Sequence, residues 1–431
     1  MPKPAAPPPA APPAARPAFW LVLVAAGGTF ALTMGARQSM GLFLGPINTA
    51  TGLGLASISL AFAFGQLWWG LTQPVAGLVA DRIGAGRVLV LGVVLVAIGT
   101  ALIPWMTSTA GLVFAVGVLA AGGAGMAGPS VLMAATTRLT PPERRGFAIG
   151  IVNAGGSFGQ FVFAPIAQGV MAVAGWAAAV QTLAVATLLA LPLAWVLRGN
   201  ARALATAPAS GAGAAGAAAT PVSTGQAVRR ALADPSFRLL AAGFFVCGFH
   251  VAFLATHLPG VVAACGLPPA VGGWSLAVLG LFNIVGSIGI GWAIGYRGGR
   301  WRMKSLLSLI YAARAVAVLV FVLAPKTTPV MLVFAAVMGL TFLSTVPPTA
   351  GLVARFYGPA HMGTLFGLVM LTHQLGGFLG AWLGGVSFQR TGRYDGMWWA
   401  DIALAVAAAL LHLPIREPRG VPAAAAVPRP A

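Results

Sequence analysis

Residues Gly77 to Arg87 read GLVADRIGAGR, and this stretch decides the fold because it is charged and glycine-rich while both flanks are long and apolar. It predicts a short hinge between two membrane helices. Gly84 would permit a tight turn, because glycine tolerates positive φ, and Gly77 would let a neighbouring helix approach closely. Asp81 would pair with a nearby arginine or with a helix end. We predict a gate formed by Gly77, Asp81, Arg82, Gly84 and Arg87; an ordinary basic loop is the alternative.

A second copy of this pattern supports the gate. At Gly291 to Arg300 the chain reads GWAIGYRGGR, and the seven-residue gap between the glycines of the first copy recurs between Gly291 and Gly298. Gly295 stands at the acidic position, so the second gate, made of Gly291, Gly298 and Arg300, lacks a carboxylate. Such a duplication is typical of transporters built from two six-helix repeats. A second similarity between the two halves is the pair Pro129-Ser130 in one and Pro348-Thr349 in the other.

The composition indicates a polytopic membrane protein. Of 431 residues 58% are hydrophobic and 7% charged, and the mean hydropathy is +0.90, which is outside the range of soluble domains. The net charge of +19 does not indicate nucleic-acid binding, because the basic residues recur in alternate loops and form no patch with aromatics. Cys247 and Cys265 lie 18 residues apart in the region of one predicted span, too far for a disulfide, and are expected to be reduced.

The apolar runs predict an all-α membrane protein of twelve transmembrane helices in two six-helix pseudo-repeats, since about 20 apolar residues cross a bilayer. The first six spans are predicted near 19–46, 57–80, 87–105, 110–136, 146–171 and 175–197. The second six are predicted near 238–263, 269–295, 303–324, 329–355, 361–388 and 395–414.

The remaining segments are predicted to lack a fold of their own. Residues 1–17 and 416–431 are expected to be disordered tails, because they are poor in apolar bulk. The N-terminal half comprises 18–197 and the C-terminal half 238–415. Residues 198–237 contain the run ASGAGAAGAAAT and are predicted to be a flexible cytoplasmic linker.

Basic residues predict the orientation. The positive-inside rule places the loops rich in arginine and lysine in the cytoplasm, so both termini are expected there, in a multi-pass protein of the bacterial cytoplasmic (inner) membrane. The opposite loops hold Lys326, Arg390 and Arg393. The loops assigned to the inside hold Arg82, Arg138, Arg144, Arg198, Arg230, Arg297, Lys304 and Arg355.

Two arginines lie inside predicted spans, where a charge costs about 2.5 to 3.5 kcal/mol. Arg37 lies in the polar run GARQS of the first span, where substrate contact is favoured over snorkelling to the interface. Arg314 lies near the middle of the ninth span, where a structural role and substrate contact both remain open. Asp401, near the start of the last span, is the one carboxylate that could lie in the membrane. The cavity is therefore expected to be electropositive.

Other polar residues complete the candidate site. His250 and His257 are seven residues apart, so they share a helix face, and His250 is the one expected to face the cavity. His250 is also the first candidate for a proton carrier and His373 the second, because histidine titrates near neutrality. The predicted substrate contacts are Arg37, Asn153, His250, Asn283, Arg314, His373 and Gln374.

The residues resemble a known family. GLVADRIGAGR is similar to the loop between helices two and three of the major facilitator superfamily, with Ala85 and Gly86 at two positions that are basic in that signature. The runs GARQSMGLFLGPI, CGFHVAFLATHLP, VPPT and HQLGGFLGAWLGG resemble bacterial monocarboxylate porters. This resemblance implies that Arg37 contacts a substrate carboxylate. The acid and arginine typical of the eighth span are replaced by Asn283 and Ser287.

These observations predict a secondary active transporter that moves a small, monocarboxylate-like organic anion by alternating access. No motif for ATP, a metal or a nucleophile is present, so neither an enzyme nor a cofactor is expected. Drug or metabolite efflux by the same fold and a transporter-fold nutrient sensor are the alternatives. The expected partners are a small anionic solute, the lipid bilayer and, if transport is ion-coupled, protons. No nucleic-acid partner is expected, and a single copy is the expected functional unit.

Overall fold

The computed structural model describes residues 18–141, 144–198, 224–295, 301–357 and 362–417, and all regular structure in them is helical. Ten segments of these residues are long and apolar enough to cross a membrane. One of them, Phe147–Val196, holds two spans, because Gly175 is non-helical, with φ of +81°. The helix Asp395–His412 is the twelfth, and its two aspartates lower its hydropathy.

The first six spans form the N-terminal half. Span 1 continues past its first helix through a 3-10 turn at Met40–Phe43, and span 4 contains a π-helical stretch at Val113–Ala120. The spans are Phe19–Thr51 (span 1), Leu55–Ile83 (span 2), Ala85–Leu102 (span 3), Thr109–Leu139 (span 4), 145–174 (span 5) and 176–196 (span 6).

The last six spans form the C-terminal half. Span 10 is interrupted at residues 342–345, between the helices Thr328–Thr341 and Val346–Tyr357. The spans are Pro235–Ala264 (span 7), Pro269–Gly295 (span 8), Met303–Leu323 (span 9), Thr328–Tyr357 (span 10), Met362–Thr391 (span 11) and Asp395–His412 (span 12).

The same close helix pairing occurs in both halves. The run GGSFG ends at Gly159 of span 5, where a Cβ would lie 2.0 Å from the carbonyl oxygen of Ala31 in span 1. The run GGFLG ends at Gly380 of span 11, where a Cβ would lie 2.2 Å from the carbonyl oxygen of Phe249 in span 7. Spans 1 and 5 therefore pack as spans 7 and 11 do, which is what duplication of a six-helix unit requires.

The two halves separate toward one end of the bundle, which we call the basic end because the exposed Arg82 lies there. A Cβ on Gly70 of span 2 would lie 2.3 Å from Cγ of Gln374 in span 11. Two turns nearer the basic end, Gly77 on the same face of span 2 has no atom within 4 Å of its Cβ position. Spans 8 and 5 diverge in the same way: Gly280 packs against Ser157, whereas Gly291 faces open space.

At the opposite end the halves are in contact. A Cβ on Gly41 of span 1 would lie 2.2 Å from the carbonyl oxygen of Ala255 in span 7. A Cβ on Gly385 of span 11 would lie 2.2 Å from the hydroxyl oxygen of Ser59 in span 2. The structure is thus open at the basic end and closed at the opposite end.

Two predicted unstructured segments carry structure. The helix Thr224–Ala233 lies within the predicted linker 198–237, and Asp234 caps span 7 by accepting a 2.8 Å hydrogen bond from the amide of Ser236. In the predicted tail 416–431, Glu417 lies 2.5 Å from Nη1 of Arg355 and accepts from the amide of Lys304 at 3.1 Å. Glu417 is ordered because it caps span 9, whereas the predicted tail 1–17 lies outside the described residues.

Candidate functional site

Arg37 lies where spans 1, 2 and 11 meet between the halves. Its Nη2 donates a hydrogen bond to Oε1 of Gln66, and its guanidinium lies 4.9 Å from the ring centroid of Trp69, both on span 2. The first helix of span 1 ends at Gln38, so Arg37 lies next to the 3-10 turn that carries the chain toward span 7. In the part of the chain that the structure describes, no carboxylate forms an ion pair with Arg37. Its charge is therefore met only by a neutral amide and an aromatic face.

Two further hydrogen-bond donors near this crossing have no acceptor. The indole Nε1 of Trp69 and the amide Nε2 of Gln374 are buried, and neither makes a hydrogen bond in the structure. Gln374 approaches span 2 at Gly70, the residue after Trp69. The crossing thus presents a cation and two donors to a ligand that accepts hydrogen bonds.

Asn283 connects the two halves on the other side of the cleft. Its Nδ2 donates to the hydroxyl of Ser157 in span 5 at 2.7 Å, and its Oδ1 accepts from the amide of Leu343 at 3.0 Å. Leu343 lies in the break of span 10, so Asn283 supports an amide that the interrupted helix leaves unpaired. The hydroxyl of Ser287, one turn along, also donates to Oδ1 of Asn283, at 3.4 Å.

Asn153 and His373 take different positions from Asn283. Asn153 is exposed one turn from Ser157, on the side where spans 5 and 8 diverge. His373 is buried, and its ring centroid lies 4.9 Å from that of Phe244 in span 7, inside the C-terminal half. His373 and Gln374 therefore face different neighbours, and of the two it is Gln374 that contacts span 2.

His250 is buried in the C-terminal half instead of facing the cleft. Its Nε2 lies 3.1 Å from Oδ1 of Asp401 and 3.1 Å from the backbone carbonyl oxygen of the same residue. Asp401, the one carboxylate that the sequence allowed inside the membrane, is 0% exposed. Nε2 of His257 donates to the carbonyl oxygen of Ala381 at 2.7 Å, and its Nδ1 lies 3.5 Å from the hydroxyl of Tyr394.

Arg314 has a structural environment. It is 1% exposed, and its Nη2 donates to the carbonyl oxygens of Thr341 and Phe342, the latter at 2.7 Å. These carbonyls end the first helix of span 10, where the backbone leaves acceptors unpaired and the helix dipole is negative. Arg314 therefore stabilises the break in span 10 and does not reach the cleft.

The predicted gates are only partly described. Gly84 has φ of +95° and ψ of 140°, which confirms the tight turn between spans 2 and 3. The expectation that Gly77 lets a neighbouring helix approach is wrong for this conformation, because spans 2 and 11 have diverged at that level. Arg82 and Arg87 are exposed. The side chain of Asp81 lies outside the described residues.

The second gate has one described residue, Gly291, whose Cβ position is also open. Gly298 and Arg300 lie outside the described residues. Gly86 stands where the superfamily signature has a basic residue, and packing explains this difference. A Cβ on Gly86 would lie 2.4 Å from Cα of Arg198 at the end of span 6, so no lysine or arginine fits there.

Sequence reasoning missed several residues of the site. Gln66 and Ser157 bind candidate residues directly, and each is a polar residue within an apolar span, which was the available signal. Asp401 was recognised as a possible membrane carboxylate, but not as the partner of His250. The sequence does not indicate which side of each helix points into the cleft, because the hydrophobic pattern is nearly uniform around these helices. The pairing of His250 with Asp401 joins residues 151 positions apart.

Twelve spans in two similar halves, with a polar cleft between them that opens at one end, define a membrane transporter and not an enzyme. The family model described as Major Facilitator Superfamily matches residues 26–381 and 293–430, so the chain belongs to that superfamily. Its resemblance to that superfamily is thereby confirmed.

The chain is also similar, at low sequence identity, to several known proteins. The chain is 24% identical to the Uncharacterized MFS-type transporter YcxA of Bacillus subtilis (strain 168), with 87% of this chain and 90% of that protein covered. It is 25% identical to Monocarboxylate transporter 13 of Rattus norvegicus (87% and 83% covered) and to Monocarboxylate transporter 11 of Mus musculus (98% and 91% covered). The inward open conformation of the xylose transporter XylE from E. coli has the same fold, with a TM-score of 0.69, 13% identity and coverage of 93% and 96%.

Proposed function

We propose that this protein carries a small organic anion of the monocarboxylate type across the membrane by alternating access. The observation that carries the proposal is the uncompensated charge of Arg37 between the two halves. A guanidinium in a low-dielectric cleft binds a carboxylate through paired, charge-assisted hydrogen bonds. A neutral sugar or a cation would leave that charge unmet.

The neighbouring donors favour the same ligand. Trp69 Nε1 and Gln374 Nε2 are unpaired, and each can donate a hydrogen bond to a carboxylate oxygen or to a polar group beside it. Trp69 belongs to the N-terminal half and Gln374 to the C-terminal half. A ligand bound by both would therefore link the halves, which is what makes binding sensitive to their rocking.

The relatives are consistent with an anionic solute, since two of them carry the name monocarboxylate transporter. The eighth span nevertheless has Asn283 and Ser287 where an acid and an arginine are typical of monocarboxylate porters. Here those two side chains form a hydrogen bond to each other, and Asn283 serves the contact with span 5. The anion site of this protein therefore rests on Arg37 and not on span 8.

The distribution of basic residues orients the carrier. With the basic end in the cytoplasm, as the positive-inside rule requires, both termini are cytoplasmic and the structure is open to the inside. In this arrangement the protein lies in the bacterial inner membrane and releases or collects its solute at the cytoplasmic face. A single copy contains the whole cleft.

The test is counterflow of radiolabelled lactate into proteoliposomes, with pyruvate, acetate and an organic amine as competitors. We expect competition by the carboxylates alone, loss of counterflow in Arg37→Ala and partial recovery in Arg37→Lys. Arg198→Ala is the matched control, because Arg198 also lies over a tryptophan, 4.4 Å from the ring of Trp195, but is exposed at the end of span 6.

Three outcomes would count against the proposal. Inhibition by the amine but not by the carboxylates would indicate efflux of cationic compounds. Ligand-induced thermal stabilisation without counterflow would indicate a sensor. Equal losses in Arg37→Ala and Arg198→Ala would show that the effect of Arg37 is not specific to the cleft.

A further inference from the structure

A buried acid and a buried histidine form a pair inside the C-terminal half, away from the cleft. Oδ1 of Asp401 in span 12 lies 3.1 Å from Nε2 of His250 in span 7, and the two side chains are 0% and 1% exposed. Neither carboxylate oxygen of Asp401 nor Nδ1 of His250 makes a hydrogen bond to another group. Burial of a charged group with so few partners is costly, so Asp401 needs a balancing charge whenever it is ionised.

Arg314 supplies that charge. It is a buried cation, and its Nη2 lies 3.8 Å from Sγ of Cys247, one turn from His250 in span 7. Two of its nitrogens, Nε and Nη1, have no acceptor, while Nη2 donates to the carbonyl oxygens at the break in span 10. Arg314 therefore holds the break in span 10 and lies against span 7 one turn from His250.

The break in span 10 is connected to the N-terminal half. Leu343, within this break, donates its amide hydrogen to Oδ1 of Asn283, and Nδ2 of Asn283 donates to Ser157 in span 5. A set of polar contacts thus runs from Arg314 through the break in span 10 to the interface of the halves, and Arg314 also contacts Cys247, one turn from His250 in span 7. A change of charge at Asp401 has a structural route to the equilibrium between open and closed states.

The surroundings of the pair contain few other ionisable groups. Among the described residues, span 10 places no ionisable side chain beside His250 and Asp401. The groups on spans 7, 9, 11 and 12 are Cys247, Tyr311, His373 and His412. Tyr311 donates to the carbonyl oxygen of Gly243 at 2.6 Å, and Cys247 lies 3.0 Å from the hydroxyl of Thr345, so both are already engaged.

We propose that His250 and Asp401 together form a proton-binding site that controls which end of the cleft is open. Without the proton, neutral His250 and ionised Asp401 carry one negative charge, which balances Arg314. One proton taken from water neutralises the pair, on either the carboxylate or the imidazole, and no other bond changes. Arg314 then interacts more strongly with the carbonyl oxygens of span 10, which strengthens the contacts present in this structure. Falling pH should therefore favour the state that is open at the basic end.

The inference concerns the proton and does not depend on which solute is carried, so its test uses none. Spin labels are placed on Leu78→Cys in span 2 and Ile288→Cys in span 8, both exposed near the basic end, in a Cys265→Ser background. Cys247 is retained because it is fully buried. Distances are measured by pulsed electron resonance in lipid nanodiscs across a pH series, and the variants are Asp401→Asn and His250→Gln.

We expect the population with long distances to rise as pH falls, by at most about tenfold per pH unit for one coupled proton. Asp401→Asn should abolish this response and His250→Gln should displace or abolish it. Asp395→Asn is the matched control, because Asp395 begins the same helix but is 68% exposed, and it should respond as the wild type does. A flat wild type, a reversed response, or a wild-type response in folded Asp401→Asn would overturn the proposal.

A second measurement covers the case in which Asp401→Asn does not fold. Infrared difference spectra of the unmutated protein between two pH values should show the carbonyl stretch of a protonated, buried carboxylic acid, with slow hydrogen–deuterium exchange. His250→Gln should shift the pH at which it appears. Absence of such a band would overturn the proposal, whereas failure of anion counterflow would leave it intact.

Discussion

The side chain of Gln389 in span 11 caps the first turn of span 2 across the two halves: its Oε1 accepts a 2.7 Å hydrogen bond from the amide of Ala56. Ala56 is the second residue of the helix Leu55–Ile83, and the amides of a first turn have no partner within their own helix. A Cβ on Gly54 would lie 2.9 Å from the same Oε1, so the chain before span 2 is also packed against it. This contact lies at the end of the bundle that is closed, and it must break when that end opens.

Replacement of Gln389 by leucine should therefore shift the equilibrium toward the state that is open at the end opposite Gly84. Loss of a helix cap costs about 1 kcal/mol, which corresponds to about a fivefold change in the ratio of the two states. The spin-label pair at Leu78 and Ile288 would report it as a loss of long distances. Arg390→Gln, at the exposed next position, should have no such effect; equal shifts in both variants would contradict a specific cap.

Gly70 and Gly77 allow the rocking motion to be tested from both sides. Gly70 is in contact with Gln374 in this structure, whereas Gly77, two turns away on the same face, is open. If the halves close at the basic end, Gly77 should come into contact with span 11. Gly77→Leu should then leave the free energy of unfolding nearly unchanged but should slow transport and retain long label distances at every pH. Gly150→Leu, which is also open in this structure, is the control for bulk alone.

Gly84 should not tolerate a side chain. Its φ of +95° with ψ of 140° belongs to a region that is nearly exclusive to glycine, so Gly84→Ala should lower the free energy of unfolding by about 1 to 3 kcal/mol. Thermal unfolding in detergent, followed by circular dichroism, measures this loss. Gly150→Ala has neither a positive φ nor a nearby atom and should be neutral or slightly stabilising. Equal melting temperatures for both variants would contradict the argument from φ.

The sequence was sufficient to predict the spans but not the contacts between them. Apolar length and the turn at Gly84 set the helix boundaries to within a few residues, because hydrocarbon thickness and positive φ act locally. The helix Thr224–Ala233 was missed, since its short amphipathic pattern follows an Ala/Gly run of linker composition. Its neighbour Asp234 is held by capping span 7 and by the hydroxyl of Tyr357 at 2.9 Å, a contact that no local pattern indicates.

The candidate site was predicted in part for the same reason. Arg37 and Gln374 could be selected because polar residues in a span are costly, and both lie at the meeting of the halves. The partners of His250 and Arg314 come from spans 12 and 10, and their identity depends on helix rotation. In spans that are apolar on every side, neither the hydrophobic period nor the charge fixes that rotation. The structure was therefore needed to show which side chains point into the cleft.

The two membrane arginines should separate by their effects on stability and on binding. Arg314 is 1% exposed and holds the carbonyls at the break in span 10, and its removal would leave those buried acceptors unpaired. Arg314→Met should therefore lower the free energy of unfolding by about 3 kcal/mol or more. Arg37 is only half-buried, and its partners are a neutral amide and an aromatic ring. Arg37→Met should leave the free energy of unfolding nearly unchanged or raise it, because it removes an unpaired charge from the cleft.

Lactate binding should be lost in Arg37→Met and retained in Arg314→Met, the reverse of the order expected for stability. Thermal stabilisation by lactate should disappear in Arg37→Met, since a ligand raises stability only through its affinity for the folded state. Arg314→Met, where it remains folded at low temperature, should retain stabilisation by lactate, because Arg314 does not reach the cleft. Both quantities come from one set of melting curves at several lactate concentrations. Loss of lactate stabilisation in folded Arg314→Met together with its retention in Arg37→Met would exchange the two roles, and would place the anion in the C-terminal half.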